Sequence, residues 1–228
     1  MNRHLFATFL SFSLALGLTM PAQAYPPKEW RFKVMLDDKP VGYHRFKLKL
    51  EQDGNQILQS EAEFNIRFLG FNAFRYQHLA KERWEQGCLV EIESQTSRNG
   101  QLTKLIGKRQ NNEMILMRNG DEVVLPNCVM SFAYWDPLIL KQSRLLNAET
   151  GEYQAIKVRS LGSESLDLSG KSVMAKRYRL ETDKFSIDLW YGSGSQWLAL
   201  QSKTEGDRNL RYVIDPANYS MQGRSRHA

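Results

Sequence analysis

Cysteine is scarce in this 228-residue chain: Cys88 and Cys128 are the only two. That excludes a disulfide-framework mini-protein, and the absence of C-x-x-C spacing excludes a thiol redox pair. Histidine is nearly as sparse, four in all, and only His44 and His78 lie away from the termini. Fifteen glycines and seven prolines are too few for a collagenous or low-complexity chain. Beyond residue 24 no apolar run approaches the roughly 18 residues of a membrane helix, so no transmembrane anchor is expected. There is no G-x-S-x-G. Gly170-Lys171-Ser172 imitates the end of a phosphate loop, but serine stands at position 165 where that loop needs glycine.

What is present is a globular composition, 42% hydrophobic and 25% charged, with a generous 11% of aromatics. It excludes a disordered chain. At the N-terminus, Arg3 and His4 precede an apolar run from Leu5 to Leu18, and Pro21 leads into Ala22-Gln23-Ala24. This is the three-part pattern of a secretory signal peptide. Residues 1–24 are therefore expected to be cleaved after Ala24, with 25–216 forming one barrel-like domain and 217–228 a flexible polar tail. Tyr25 follows the cut, so the signal is not that of a lipoprotein. Export to the periplasm permits a Cys88–Cys128 disulfide, whose loop of about 40 residues would stabilise the fold by about 4 kcal/mol in the chain-entropy model.

Period-two alternation dominates the remainder. His44, Phe46, Leu48 and Leu50 share one face of a strand, while Tyr43, Arg45, Lys47 and Lys49 share the other. Leu58, Ser60, Ala62, Phe64, Ile66 and Phe68 alternate against polar partners, as do Trp30, Phe32, Val34 and Leu36. A strand over 71–85 sets Phe74, Tyr76, His78, Ala80, Glu82 and Trp84 side by side. Such patterns mark half-buried antiparallel strands. Asp53-Gly54, Asn99-Gly100 and Asn119-Gly120 fall between alternating runs, where tight hairpins need positive φ. Further strands are expected around 153–160, 173–181, 185–191, 196–204 and 209–214. One short helix is expected near 137–144, with Asp136 as N-cap and Pro137 in its first position. The fold class is all-β: about a dozen long strands in a strongly curved or closed antiparallel β-barrel-like sheet, because long strands coil or close.

Five segments carry a resemblance. They are Met130-Ser131-Phe132-Ala133-Tyr134-Trp135-Asp136-Pro137, Trp84-Glu85-Gln86-Gly87-Cys88-Leu89, residues 145–152, Arg177-Tyr178-Arg179-Leu180 and Leu189-Trp190-Tyr191. Together they resemble a family of exported bacterial proteins built on a domain of unknown function. The resemblance spans nearly all of the chain after residue 24 and implies no activity. The second half is more distantly similar to another uncharacterised exported family with a curved sheet. Both are similar to the half-barrel of periplasmic lipoprotein carriers, although this chain has one helix where those carriers use helices as a lid.

Chemistry is harder to find. His78 and Glu82 stand four positions apart on a strand, about 13 Å, which is too far to share a metal. His44 and His78 are instead read as core imidazoles, with Ser60, Ser94, Thr96 and Glu82 available as hydrogen-bond partners. Ser131, His78 and Asp136 can be assembled into a triad on paper, but nothing in their spacing selects it. No catalytic residue, metal site or cofactor is assigned. The formal charge of +6 concentrates no aromatic-laced basic face: Arg45, Lys47 and Lys49 share theirs only with Tyr43. A solvated face is expected there, and no nucleic-acid partner.

The aromatic surplus remains. Trp30, Phe32, Phe46, Phe64, Phe68, Phe74, Tyr76 and Trp84 fall on inner faces, where they fill a barrel or line an apolar pocket. Tyr134 and Trp135, beside the helix start, would stand at its mouth. The ligand-binding candidates are accordingly His44, Tyr76, His78, Trp84, Tyr134 and Trp135. The first functional reading is a binding module for a lipid or another hydrophobic small molecule. The alternative is a structural or partner-binding envelope protein, and an enzyme ranks third.

Overall fold

The computed structural model describes residues 27–68, 71–168, 170–204 and 206–214. The expected signal peptide, 1–24, and tail, 217–228, lie outside the described residues. Eight strands form a first antiparallel meander: β1 (Lys28–Leu36), β2 (Lys39–Leu50), β3 (Gln56–Phe68), β4 (Phe71–Glu85), β5 (Cys88–Arg98), β6 (Gln101–Gln110), β7 (Glu113–Arg118) and β8 (Asp121–Pro126). An irregular stretch follows, with a 3₁₀ turn at Pro137–Lys141 and a two-stranded sheet of β9 (Arg144–Leu146) and β10 (Tyr153–Ala155). A second meander closes the chain: β11 (Lys157–Leu168), β12 (Lys171–Glu181), β13 (Ser186–Tyr191), β14 (Trp197–Lys203) and β15 (Asn209–Ile214).

Pairing of β15 with β1, Phe32 opposite Ile214 and Leu36 opposite Leu210, joins the two meanders into one 13-stranded sheet. The sequence's first and last strands therefore lie inside the sheet, and β8 and β11 form its ends. No ladder joins β8 to β11 among the described residues. The expectation of a closed sheet is corrected in this respect, because irregular chain and the small β9–β10 sheet connect the two end strands.

Turn chemistry anchors the hairpins. Asn99 (φ 51°) and Gly100 (φ 86°) both adopt positive φ between β5 and β6, as the Asn-Gly signal requires. The Asn99 side chain also accepts from Arg75 N–H at 2.8 Å, and Asn119 accepts from Lys104 N–H at 2.7 Å, so each turn grips a neighbouring strand.

Register assembles an inner face in rows. One row is Leu48, Leu58, Glu82, Ile92, Gly107, Leu116 and Val123. The next is Trp30, Phe46, Ser60, Ala80, Ser94 and Leu105, and beyond it Phe32, His44, Ala62, His78 and Thr96. Leu50, expected on the same face, is exposed because the strand outruns the core.

The expected helix is the main correction. Asp136 does cap, its carboxylate accepting from Leu138 N–H at 2.9 Å, but only the five-residue 3₁₀ turn follows, and Arg144 already opens β9. Of Leu138, Ile139 and Leu140 only Ile139 is buried, and Lys141, Gln142 and Ser143 supply no apolar residue one turn on. A longer helix would have no face to bury. The strand expected over 153–160 is likewise divided at Ile156, whose N–H turns to Ser143 O at 2.9 Å.

Candidate functional site

Residues 128–146 cross the inner face. Cys128 is bonded to Cys88 at the start of β5 (Cα–Cα 5.0 Å), and Leu89 N–H donates to Val129 O at 2.8 Å. Beyond that point the segment turns to itself and to β9: Leu146 N–H donates to Met130 O at 2.8 Å and Phe132 N–H to Leu146 O at 3.2 Å. Its hold on the large sheet is through side chains. Trp135 meets Trp84 edge to face at 5.6 Å, Tyr134 packs on Trp197 at 5.5 Å, and Tyr191 O–H donates to Tyr134 O at 2.8 Å. Non-periodic sequence suits this role, since the segment is packed on several sides and has no single wet face.

Glu82 sits beneath it. The carboxyl group is flanked in register by Leu58 and Ile92, and its Oε2 accepts from Trp84 Nε1–H at 3.0 Å and from Ser131 O–H at 3.2 Å. Burial among apolar neighbours raises its pKa to about 7, against the opposing pull of those two bonds.

A second polar group lies along the same face. His44 contacts Tyr212 O–H at 2.9 Å through Nδ1 and Ser60 O–H at 2.7 Å through Nε2. His78 Nδ1 contacts Thr96 O–H at 2.8 Å, and the two imidazoles stand 6.3 Å apart. Burial lowers the pKa of both, for His44 with help from His78, so the rings are held neutral. Tyr76 stacks on Phe64 at 4.8 Å, and burial, with Glu149 adding to it, pushes its phenol well up; Glu149 itself pairs with Arg98. Ser60 and Thr96 are among the partners expected for the imidazoles. Tyr212 is not, because its meeting with His44 depends on the β1–β15 pairing across the whole chain.

The six candidate residues fall along one aromatic seam. Trp84 and Trp135 pair at one end; Tyr134, next in the chain to Trp135, begins the ring contacts that continue through Trp197 (5.1 Å from Phe46) and Phe46 (4.0 Å from His44) to His78 and Tyr76. All six are buried except Tyr134, which is half-buried. The paper triad does not assemble: Ser131 turns to Glu82, His78 to Thr96, and Asp136 to Leu138 N–H. Among the described residues no cluster of His, Cys, Asp or Glu is arranged to hold a metal.

The opposite face is charged. Arg45 and Lys47 stand 3.9 Å from Glu61 and Glu29, and Lys49 is exposed. A shallow groove of about 920 Å³ runs across this face, with the exposed Leu79 and Ile106 in its floor.

One long antiparallel sheet with an aromatic inner face places the molecule among all-β, barrel-like proteins. It is similar to the "Beta-barrel-like Protein of Domain of Unknown Function DUF1849" from Brucella abortus, with a TM-score of 0.62 over 83% of this chain and 95% of that one at 9% identity. LprF from Mycobacterium bovis matches at a TM-score of 0.29 and 13% identity, covering 83% of this chain and 85% of that one, a likeness too loose to carry an argument. No curated protein matches the chain. The chain belongs to the family described as "Domain of unknown function (DUF6134)", whose model matches residues 32–215. The expected membership of a family of unknown function is met.

Proposed function

We propose that this is an exported periplasmic protein, released by cleavage after Ala24, that binds a lipid or another apolar ligand on the inner face of a strongly curved sheet. The manner in which that face is covered carries the reading. An irregular segment closes it, held by one backbone bridge, a disulfide and side-chain packing. Moving residues 130–146 aside would uncover His44, Tyr76, His78 and Trp84 without breaking any rung of the 13-stranded ladder, and would carry Tyr134 and Trp135 on the moving segment. His44, Tyr76, His78, Trp84, Tyr134 and Trp135 would then line the ligand.

Curvature is supported by ring contacts between distant strands. Phe64 of β3 and Tyr212 of β15 lie 6.4 Å apart, whereas three spacings of a flat sheet come to about 14 Å. The disulfide supports an oxidising compartment, and no helix among the described residues is long and apolar enough to cross a membrane. Native mass spectrometry of the chain purified without detergent from periplasmic extract tests the proposal. A bound mass in the lipid range, lost on unfolding, is expected. The second reading, a partner-binding envelope protein, draws on the groove around Leu79 and Ile106. Repeatedly bare protein, with a partner recovered by crosslinking at that groove, would establish it instead.

A further inference from the structure

β11 ends the large sheet as an open edge. Its 12 residues pair with β12 on one side, and among the described residues no ladder covers the other. Only Leu168 of the strand is buried. Every second residue of such a strand turns its N–H and C=O away from its single partner, which makes a template for another strand. β8, at the far end of the sheet, is a poorer template. It is half as long, opens on Asp121 and Glu122, and ends on Pro126, which has no N–H to donate.

The charges of β11 are divided between its two halves. Lys157 and Arg159 precede a bulge at Leu161, and Glu164 and Asp167 follow it. The extra residue exchanges the two faces of the strand. Arg159 and Glu164 therefore lie on one face although five positions apart, opposite Arg179 and Ala175 of β12. Arg159 pairs with Glu181, and Glu164 with Arg177 and Trp190, yet the two side chains stay 63% and 45% exposed. About 17 Å of strand separates them within one copy.

We infer that β11 pairs antiparallel with β11 of a second copy about a two-fold axis between Leu161 and Gly162, joining two 13-stranded sheets edge to edge. Matching the faces across that axis sets Arg159 opposite Glu164 twice over, Ser160 opposite Ser163, and Leu161 opposite Gly162. The basic half of each strand thus meets the acidic half of the other, whereas parallel pairing in register sets like charge beside like. Leu161, 45% exposed, meets a residue without a side chain, and the space beside Gly162 is open.

Sedimentation velocity of the exported chain in low salt, from about 1 to about 100 μM, tests the pairing. A monomer–dimer equilibrium is expected, and it should weaken in about 0.5 M salt. Arg159→Glu and Glu164→Arg should each weaken the dimer about tenfold, because the axis makes each repulsive pair occur twice. Combining the two substitutions restores opposite charges across the axis and should restore the dimer. The pairs with Glu181 and Arg177 stay broken in that double variant, so its recovery reads the contact between copies alone. Urea unfolding of each variant checks that it is folded. A chain that stays monomeric throughout, or a double variant no tighter than the single ones, overturns the inference. Growth beyond the dimer also overturns it, since that would be β11 joined to β8 in an open series. Each of these outcomes leaves the ligand reading above untouched.

Discussion

Replacing Glu82 with glutamine should stabilise this protein above neutral pH. In the unfolded chain the carboxyl group titrates near 4.5, and in the folded protein near 7. Between those values the folded state keeps a proton that the unfolded state has lost, so stability falls as pH rises and levels off above 7. A gap of about 2.5 pH units corresponds to about 3 kcal/mol, the stabilisation lost by the native chain at pH 8 relative to pH 4 through this one group. Glutamine reproduces the shape of the protonated acid, still accepts from Trp84 and Ser131, and never ionises. The native and Glu82→Gln proteins should therefore have similar unfolding free energies at pH 4, and the variant should be about 3 kcal/mol more stable at pH 8. Urea titrations at pH 4, 6 and 8 measure this directly. A variant no more stable than the native chain at pH 8 would refute the reasoning, since it would mean that the carboxylate is ionised and satisfied where it stands.

Other consequences are as direct. His44 and His78 are held neutral by burial, so the unfolded state binds more protons at acid pH. In the Glu82→Gln background, which removes the opposing contribution of that carboxyl group, the melting temperature should fall as pH drops below about 6.5, and adding His44→Asn should flatten that fall; a pH-independent melting temperature of Glu82→Gln between 7 and 5 would contradict it. Reducing Cys88–Cys128 opens a loop of 40 residues and should lower stability by about 4 kcal/mol, while alkylation of native, unreduced protein should add no mass. At Gly42 a Cβ would lie 1.8 Å from Glu63 O on the adjoining strand. Gly42→Ala should therefore force β2 from β3 and cost on the order of 3 kcal/mol, read as a lower urea midpoint.

The inner face is legible in the sequence because alternation maps directly onto the two sides of a strand. The run from Phe74 to Trp84 places His78 and Glu82 inward, and the same alternation turns Ser60 and Thr96 inward, so two imidazole partners are among those read from pattern alone. What joins distant strands does not. Nothing local to Phe32 or Ile214 says that they pair, and Tyr212 reaches His44 only through that pairing. The crossing segment is opaque for a different reason. Met130 to Trp135 has neither a two-residue nor a 3.6-residue period, because its neighbours surround it, so Ser131's attachment to Glu82 leaves no mark in the pattern. Asp136-Pro137 is a true helix-start signal, and it misleads only because the residues after it offer no second buried turn.

A crystal grown with methyl dibromostearate tests whether an apolar ligand enters between the inner face and residues 128–146. Bromine has an anomalous signal that places the chain without reference to protein density. The account predicts bromine between the inner face and the crossing segment, near Leu58, Ile92 and Trp84, with Trp135 displaced from its edge-to-face contact with Trp84. Bromine confined to the charged face around Leu79 and Ile106, with Trp135 still packed on Trp84, would contradict it.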